Sequence, residues 1–361
     1  MKKKNILFFC PIPPPIGGQA LISNMVYNLI KPKFLINTNV KSKYLGTIIT
    51  LLKTFWIFIF HKVDLVYFTC TRSKKGAIKD IVLLFLCKIK GVKVINHLHG
   101  NEIMDLFTGG ILSKIIHQAY TNIDETIFVT ERQKQLMPSS LTKMKRTVIP
   151  NCYDSVLDDV DFDLKNKNEE VHILYISFLM KSKGIFVALD TFEKIAKHYK
   201  NVVFNIAGDP LSDYLMSALE VKKKFDDKFH QLNQLYPNRI VYHGVVKGVN
   251  KINLFLNSDI LLFPTFFKTE SFGLVNIEAM RTGNAIVATD HNFLSDIVTK
   301  NEGLLVKPND VDSTYNAVKF FLDNPELLLK IQQHNIIHSK CEFSPEKFNS
   351  RINLLFSQYL S

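Results

Sequence analysis

Short apolar runs alternate with longer stretches of helical period along almost the whole chain, and the alternation falls into two blocks. In the first block the runs at residues 5–10, 64–70, 92–97, 125–129 and 147–150 have the length and apolar continuity of buried parallel strands. Between them, residues 19–30, 44–60, 75–90, 111–119 and 131–137 carry apolar positions at helical spacing. A polar stretch with no period follows over residues 154–170, where Asp158, Asp159, Asp161 and Asp163 stand beside Lys165 and Lys167, and it reads as a linker. The alternation then restarts, with strands predicted at 172–177, 202–207, 240–243, 259–263, 285–288 and 303–306. The matching helices are predicted at 183–198, 213–235, 247–257, 273–281 and 311–321. Strands that alternate with crossover helices make a parallel α/β sheet, so the pattern predicts two doubly wound domains, residues 1–155 and 171–344. They are expected to face one another across a cleft, with ligands at the carboxyl ends of the strands. Residues 345–361, amphipathic through Phe348, Ile352, Leu355, Phe356 and Tyr359, are expected to pack back across the linker onto the first domain.

Length agrees with two cores, since 361 residues is about twice an ordinary domain. A composition of 47% apolar and 22% charged residues is that of a folded globular protein, and richness in Lys, Asn, Ile and Phe is that of an AT-rich bacterial gene. The five cysteines, Cys10, Cys70, Cys87, Cys152 and Cys341, are scattered, with no CxxC or Cys/His spacing of a zinc site, which points to a reducing, cytoplasmic compartment. The basic start Met1-Lys2-Lys3-Lys4 leads into an apolar run that stops at Pro11, too short for a signal peptide. Residues 45–61 fall short of the roughly 18 uncharged residues of a membrane span and carry Lys53 in their middle.

Charge separates the halves more sharply. Residues 1–150 hold 22 Lys and Arg against 7 Asp and Glu, a net +15, while the remainder holds 23 against 26, a net −3. A basic half suits an anionic partner, either a lipid surface or a nucleic acid, or is simply a soluble basic surface. Its cations are dispersed over several elements rather than gathered in a nucleic-acid-binding motif, so no nucleic-acid partner is expected. Apolar segments such as Phe55-Trp56-Ile57-Phe58-Ile59-Phe60 favour a membrane face, unless they are core.

The most specific chemical signal is Thr269-Glu270-Ser271-Phe272-Gly273-Leu274-Val275-Asn276-Ile277-Glu278, which follows the strand ending near Pro264 and runs into a helix. Glu270 lies on the loop and Glu278 about one and a half turns inside the helix. The amides of Phe272, Gly273 and Leu274 stand at the helix start, where unpaired N–H groups and the helix dipole favour an anion, and Gly273 permits close backbone approach. This region resembles the E-x7-E motif of the retaining, family-four glycosyltransferases, whose two Rossmann-like domains form the GT-B architecture. The similarity continues through Ala285-Ile286-Val287-Ala288-Thr289-Asp290 and Gly303-Leu304-Leu305-Val306-Lys307-Pro308 to Asp310. The resemblance implies that Glu270 contacts the transferred sugar and Glu278 the ribose hydroxyls.

In the same family the first strand–loop–helix of the second domain carries an Arg and a Lys on the departing diphosphate. Here Lys183 matches the Lys, whereas Phe178 occupies the Arg position and Lys181 stands nearby. Negative charge building on the leaving diphosphate must be met by fixed cations and amides or by a metal. The Asp159-Val160-Asp161 and Asp161-Phe162-Asp163 pairs lie in the linker and read as solvated charge, so no metal is expected. In the first domain, Pro11 to Gln19 with the paired Gly17 and Gly18 resembles the family's glycine-rich loop beside donor and acceptor, or is a tight turn alone; it is not the dinucleotide fingerprint. His97-Leu98-His99-Gly100 ends another strand, and the resemblance gives His99 the sugar contact. His243-Gly244-Val245-Val246 resembles the segment whose backbone reads the base, through Gly244 and Val245, and Ala207-Gly208-Asp209-Pro210 resembles the loop after the second strand. Either can also be turn chemistry.

Together these imply metal-independent transfer, with no cofactor beyond a donor carried on uridine rather than guanosine diphosphate. A hexose or N-acetylhexosamine would move with retention to a lipid-linked or growing surface glycan, as in polysaccharide, lipopolysaccharide O-antigen or capsule biosynthesis. The expected location is cytoplasmic, peripheral on the inner face of the membrane. A sugar-nucleotide 2-epimerase shares the architecture and needs no acceptor. A catalytically inactive sugar-nucleotide binder is the reading that Phe178 keeps open.

Overall fold

The computed structural model describes residues 4–14, 17–39, 43–141, 143–159 and 170–360. The Pro15-Ile16 part of the first loop and the linker from Val160 to Glu169, with its Asp161 and Asp163, lie outside the described residues. The chain divides into two compact units, Met1–Asn151 with Glu346–Ser361, and Cys152–Pro345.

Unit 1 runs β1 (Ile6–Cys10), α1 (Gly18–Ile30), β2 (Phe34–Asn37), α2 (Lys43–Phe60), β3 (Leu65–Phe68), α3 (Ala77–Lys90) and β4 (Lys93–Leu98). It continues with α4 (Ile103–Phe107), α5 (Gly110–Tyr120), β5 (Glu125–Phe128), α6 (Glu131–Leu136) and β6 (Lys145–Val148). Its six strands are all parallel, in the order β2-β1-β3-β4-β5-β6. Chain order reverses between β1 and β3, which makes the loops beyond their carboxyl ends the natural ligand position. Strand β2 was not among the predicted elements.

Unit 2 runs β7 (Val171–Ile176), α7 (Ile185–His198), β8 (Val202–Ala207), α8 (Ala218–Leu235), β9 (Ile240–Tyr242) and α9 (Gly248–Leu256). It ends with β10 (Ile260–Phe263), α10 (Leu274–Arg281), β11 (Ala285–Thr289), β12 (Gly303–Val306), α11 (Val311–Asp323) and α12 (Pro325–Phe343). This sheet is also wholly parallel, in the order β12-β11-β10-β7-β8-β9, with its reversal between β7 and β10. Two α/β units with six-stranded parallel sheets are the expected fold class.

Among the helix starts that differ from expectation, two have reasons visible in the caps. Helix α8 begins at Ala218 rather than at Asp213, because Asp213 Oδ1 accepts from the amides of Leu215 (2.7 Å) and Met216 (2.8 Å) in a turn. Ser217 then closes a capping box with Glu220. Helix α7 begins at Ile185 because Gly184 precedes it with φ +80° after a 3₁₀ turn over Lys181–Lys183.

The cores are ordinary aliphatic and aromatic packing. Phe8 stacks on Tyr67 in unit 1 (4.5 Å between centroids) and Phe192 on Phe204 in unit 2 (5.4 Å). The last helix, α13 (Pro345–Leu360), buries Phe348, Ile352, Leu355 and Phe356, and Phe356 lies 6.3 Å from Phe8 and 6.0 Å from Tyr67. Tyr359 donates its hydroxyl to Glu125 Oε2 at 2.7 Å, and its carbonyl accepts from Lys4 Nζ at 2.8 Å.

The aromatic segment of α2 is split by the structure. Ile57 and Phe58 are core, whereas Phe55, Trp56, Ile59 and Phe60 are exposed, as are Leu45, Ile48 and Leu52 on earlier turns. Among the described residues no helix is long and apolar enough to cross a membrane.

Candidate functional site

In unit 2, adjacent strands β7 and β10 send their following loops to the same place, and Ser182 O accepts from Phe266 N at 2.7 Å to join them. Lys183 comes from the first loop and Glu270 from the second, and their side chains form a direct ion pair. Both are largely buried, and Lys183 Nζ also stands 5.7 Å from the Phe263 ring and 5.1 Å from Phe267. The backbone around the pair is fastened from several sides. The Tyr175 hydroxyl donates to the carbonyls of Phe178 (3.1 Å) and Lys183 (3.4 Å), and Asp213 Oδ2 accepts from Ser182 N at 2.7 Å. Asn292 Nδ2 donates to the carbonyls of Glu270 (2.8 Å) and Lys268 (3.1 Å). Gly184 is obligatory here, since a Cβ at its φ of +80° would sit 2.1 Å from the Pro264 carbonyl oxygen.

Helix α10 starts directly beyond Glu270. Gly273 is its N-cap at φ +65°, and a Cβ there would meet Asn276 Nδ2 at 2.6 Å. The N–H groups of Phe272, Gly273 and Leu274 have no acceptor among the described residues, so this end offers three donors. Phe272 contributes only its backbone, because its ring is buried edge-on against Phe343 (6.0 Å). One turn in, Glu278 accepts from Lys251 Nζ of α9 at 2.6 Å. Burial pushes its carboxyl above the ordinary range, against the pull of Lys251. Asn276, on the same helix, is buried with neither side-chain polar atom hydrogen bonded among the described residues.

The remaining unit 2 candidates are more loosely placed. Gly244 follows β9 at φ +61°, its carbonyl accepts from Gly208 N at 2.8 Å, and Val245 is exposed. Phe178 is half exposed and Lys181 exposed, so neither is drawn into the Lys183–Glu270 pair.

In unit 1 the loops after β1, β2 and β3 surround a cavity of about 190 Å³ lined by Pro11, Gln19, Thr38, Asn39, Thr71 and Arg72, among others. A small adjoining recess, sharing Gln19, Thr71 and Arg72, reaches His99 and Gly100 beyond β4. His97 and His99 do lie on one side of their strand, with ring centroids 4.0 Å apart, and both are buried. Tyr67 and His97 Nδ1 share a hydrogen bond of 2.7 Å, whereas His99 Nε2 has no partner among the described residues. Burial pushes His97 down to about 3 and holds His99 well below its ordinary value, with His97 and Arg72 adding to the effect on His99. Both imidazoles are therefore neutral near pH 7. Gln133 positions the turn beyond His99, accepting from Val129 N (2.8 Å) and donating to Gly100 O (2.9 Å).

Gly17 has φ −157°, extended backbone open to any residue, and a Cβ there would touch nothing within 4 Å. Gly18 is the first residue of α1. Among the described residues nothing therefore bars a side chain at Gly17, and Gln19, beside the pair, reaches the cavity. Sequence reasoning also passed over Arg72, Lys251 and Asn276. A basic residue just past a strand end is the one signal that marks Arg72; Lys251 is recognisable only once Glu278 lies against it.

Residues 158–337 match the family described as glycosyl transferases group 1. Over 220 residues, 59% of this chain and 45% of the relative, the chain is 22% identical to the phosphatidylinositol N-acetylglucosaminyltransferase gpi3 subunit of Schizosaccharomyces pombe. Over 173 residues, 47% of this chain and 44% of the relative, it is 23% identical to lipopolysaccharide 1,2-N-acetylglucosaminetransferase of Salmonella typhimurium. The chain thus spans under half the length of these relatives. Among solved structures, sucrose-phosphate synthase from Thermosynechococcus elongatus is similar with a TM-score of 0.74 at 16% identity, over 98% of this chain and 99% of that one. Anabaena HepE in complex with UDP is similar with a TM-score of 0.75 at 17% identity, over 98% and 100%. These likenesses show the shared GT-B fold of two Rossmann-like domains.

Proposed function

The chain carries a group 1 glycosyl transferase domain, and from that premise we propose that it moves a hexose or N-acetylhexosamine from a nucleotide diphosphate sugar onto a lipid-linked or growing surface glycan, with retention at the anomeric carbon. The observation that carries this reading is the meeting of Lys183 and Glu270 at the reversal point of the second sheet, directly before the unpaired amides of α10. A cation, a carboxylate and three N–H donors are the set that a sugar joined to a diphosphate requires. As the sugar–phosphate bond lengthens, Lys183 and the amides of Phe272, Gly273 and Leu274 neutralise the departing diphosphate, while Glu270 turns to the hydroxyls of the sugar. Fixed donors of this kind perform that neutralisation without a metal. Glu278, held by Lys251, presents a carboxylate to a ribose diol. In this reading the base lies at Gly244 and Val245, and the first domain's glycine turn, Gly17 and Gly18, serves the reactants, as the resemblance implies. His99, neutral and with Nε2 unpartnered among the described residues, suits a hydrogen bond to the sugar rather than a charge contact.

The names of the relatives support an acceptor on a lipid or a polysaccharide, and the UDP of the HepE complex supports a uridine donor. A membrane-facing unit 1 fits its charge of +15 over residues 1–150 and the exposed Trp56, Ile59 and Phe60 of α2. Such a surface would keep the protein peripheral on the cytoplasmic leaflet.

The test is a panel of nucleotide sugars incubated with purified protein and a membrane lipid extract, following nucleoside diphosphate release. Release is expected with one donor, only when extract is present, and not in Glu270→Ala. Absence of release with every donor would sink the transferase reading and favour the epimerase or the inactive binder. For the membrane, flotation with anionic vesicles at low salt should capture the wild type, and a Trp56→Glu/Ile59→Glu variant at least about tenfold less. Equal capture of the two would remove α2 from the membrane face.

A further inference from the structure

At the other end of the second sheet, Glu302, His334 and His338 form a cluster in which one ligand atom of each lies within 4.8 Å of the others. Glu302 stands immediately before β12, at the amino end of a parallel sheet, whereas Lys183 and Glu270 follow the carboxyl ends of β7 and β10. The cluster is therefore separate from the donor site by the length of a strand, about 13 Å for four residues.

The three side chains are arranged as a preformed set. Glu302 is 4% exposed, and its Oε2 is fully engaged by Thr299, through N (2.9 Å) and Oγ1 (2.6 Å). That leaves Oε1, and two imidazoles one helical turn apart on α12 aim at it: His334 Nε2 at 3.0 Å and His338 Nε2 at 3.9 Å. The rings are nearly parallel, 14° apart with centroids at 5.3 Å. A simple ion pair uses His334 and leaves His338 too far to donate. Two charged imidazolium rings stacked this closely would repel, which offsets the attraction of the second ring for the carboxylate. A cation accepted by two neutral Nε2 atoms and one carboxylate oxygen resolves this: tetrahedral bonds of about 2 Å hold ligand atoms about 3.3 Å apart, so a set now within 4.8 Å would be drawn together by the ion, chiefly at His338. Asn335, between the two histidines, donates from Nδ2 to the carbonyls of Asn284 (2.7 Å) and Glu302 (2.9 Å), which fixes the helix against the strand that supplies the carboxylate.

We propose that Glu302, His334 and His338 bind one zinc-class divalent cation that braces α12 to the amino end of β12. Two imidazoles and a carboxylate select a borderline transition metal over magnesium or calcium, and three protein ligands leave one position for water. The cysteine-based spacing sought in the sequence does not describe this set, whose carboxylate and first histidine are 32 residues apart.

Zinc titrated into the chelator-stripped full chain, read by competition with a chromogenic chelator and by thermal melting, should give one site per chain and a raised Tm. His334→Gln and His338→Gln, both at partly exposed positions, should fold, weaken zinc at least about tenfold and abolish the zinc-dependent rise in Tm, with magnesium inactive throughout. Absence of a site in the wild type, wild-type affinity in both histidine variants, or loss of binding in Cys341→Ser alone would each overturn the proposal. The last outcome would place the metal on the exposed thiol one turn further along α12.

Discussion

The two sheets reverse at equivalent points, between β1 and β3 in unit 1 and between β7 and β10 in unit 2, yet what stands at those points differs in kind. Unit 2 presents charge already paired, Lys183 with Glu270 and Lys251 with Glu278. Unit 1 presents, one strand away beyond β4, buried imidazoles stripped of charge, with Arg72 after β3 facing Glu102 at 3.9 Å. Sheet topology fixes where a ligand can go, and local burial decides what the place can do to it. A pre-paired cation and carboxylate can be redistributed when an anion and a sugar arrive; a neutral histidine offers direction without charge.

The largest effect that tests this contrast is at the Lys183–Glu270 pair. Lys183→Ala and Glu270→Ala should each lower the rate of nucleoside diphosphate release about a thousandfold, and the double variant little further, because the two act on one transition state. Simple multiplication of the two losses would show that they work independently. Next comes the backbone that holds the pair. Gly184→Ala should cost about 3 kcal/mol in urea melts, through its φ of +80° and the Pro264 carbonyl. In unit 1 the corresponding Gly17→Ala should stay within about 0.5 kcal/mol, and a large loss there would make the glycine turn as constrained as its counterpart. The smaller effect concerns the imidazoles. Unfolded His97 takes up a proton below about 6.5, while the folded ring resists protonation down to about 3. Stability is thus full above pH 6.5 and declines as pH falls, by about 1.4 kcal/mol per pH unit for this group. His97→Gln should flatten the acid limb of stability by one proton, and an unchanged slope would show that His97 accepts charge in the folded protein.

Most of this architecture is legible because buried parallel strands and amphipathic crossover helices write themselves in hydropathy. The exceptions bury something else. Helix α12 places Gln332, Asn335 and Ser339 in the interior beside Leu328 and Ile331, so its buried face has little apolar period. Strand β2 is four residues at a sheet edge with only Ile36 fully buried. At the candidate site, Glu270, Glu278 and Gly273 follow from one contiguous motif, whereas Lys251 and Arg72 acquire their partners only through folding. The Glu302 cluster is hidden for the same reason, since its members come from separate elements.

Helix α13 gives unit 1 a deferred completion. Phe356 packs with Phe8 and Tyr67, and Tyr359 reaches Glu125 and Lys4, so the first unit contains residues that leave the ribosome after the second. At roughly 5–20 residues per second, synthesis of Cys152–Pro345 takes on the order of 10–40 s. During that interval the nascent first sheet lacks one wall of its core, with Phe8 and Tyr67 uncovered on that side. The order of synthesis therefore runs against the usual rule that the amino-terminal domain folds first, and it makes helix α13 a timing element as much as a packing one.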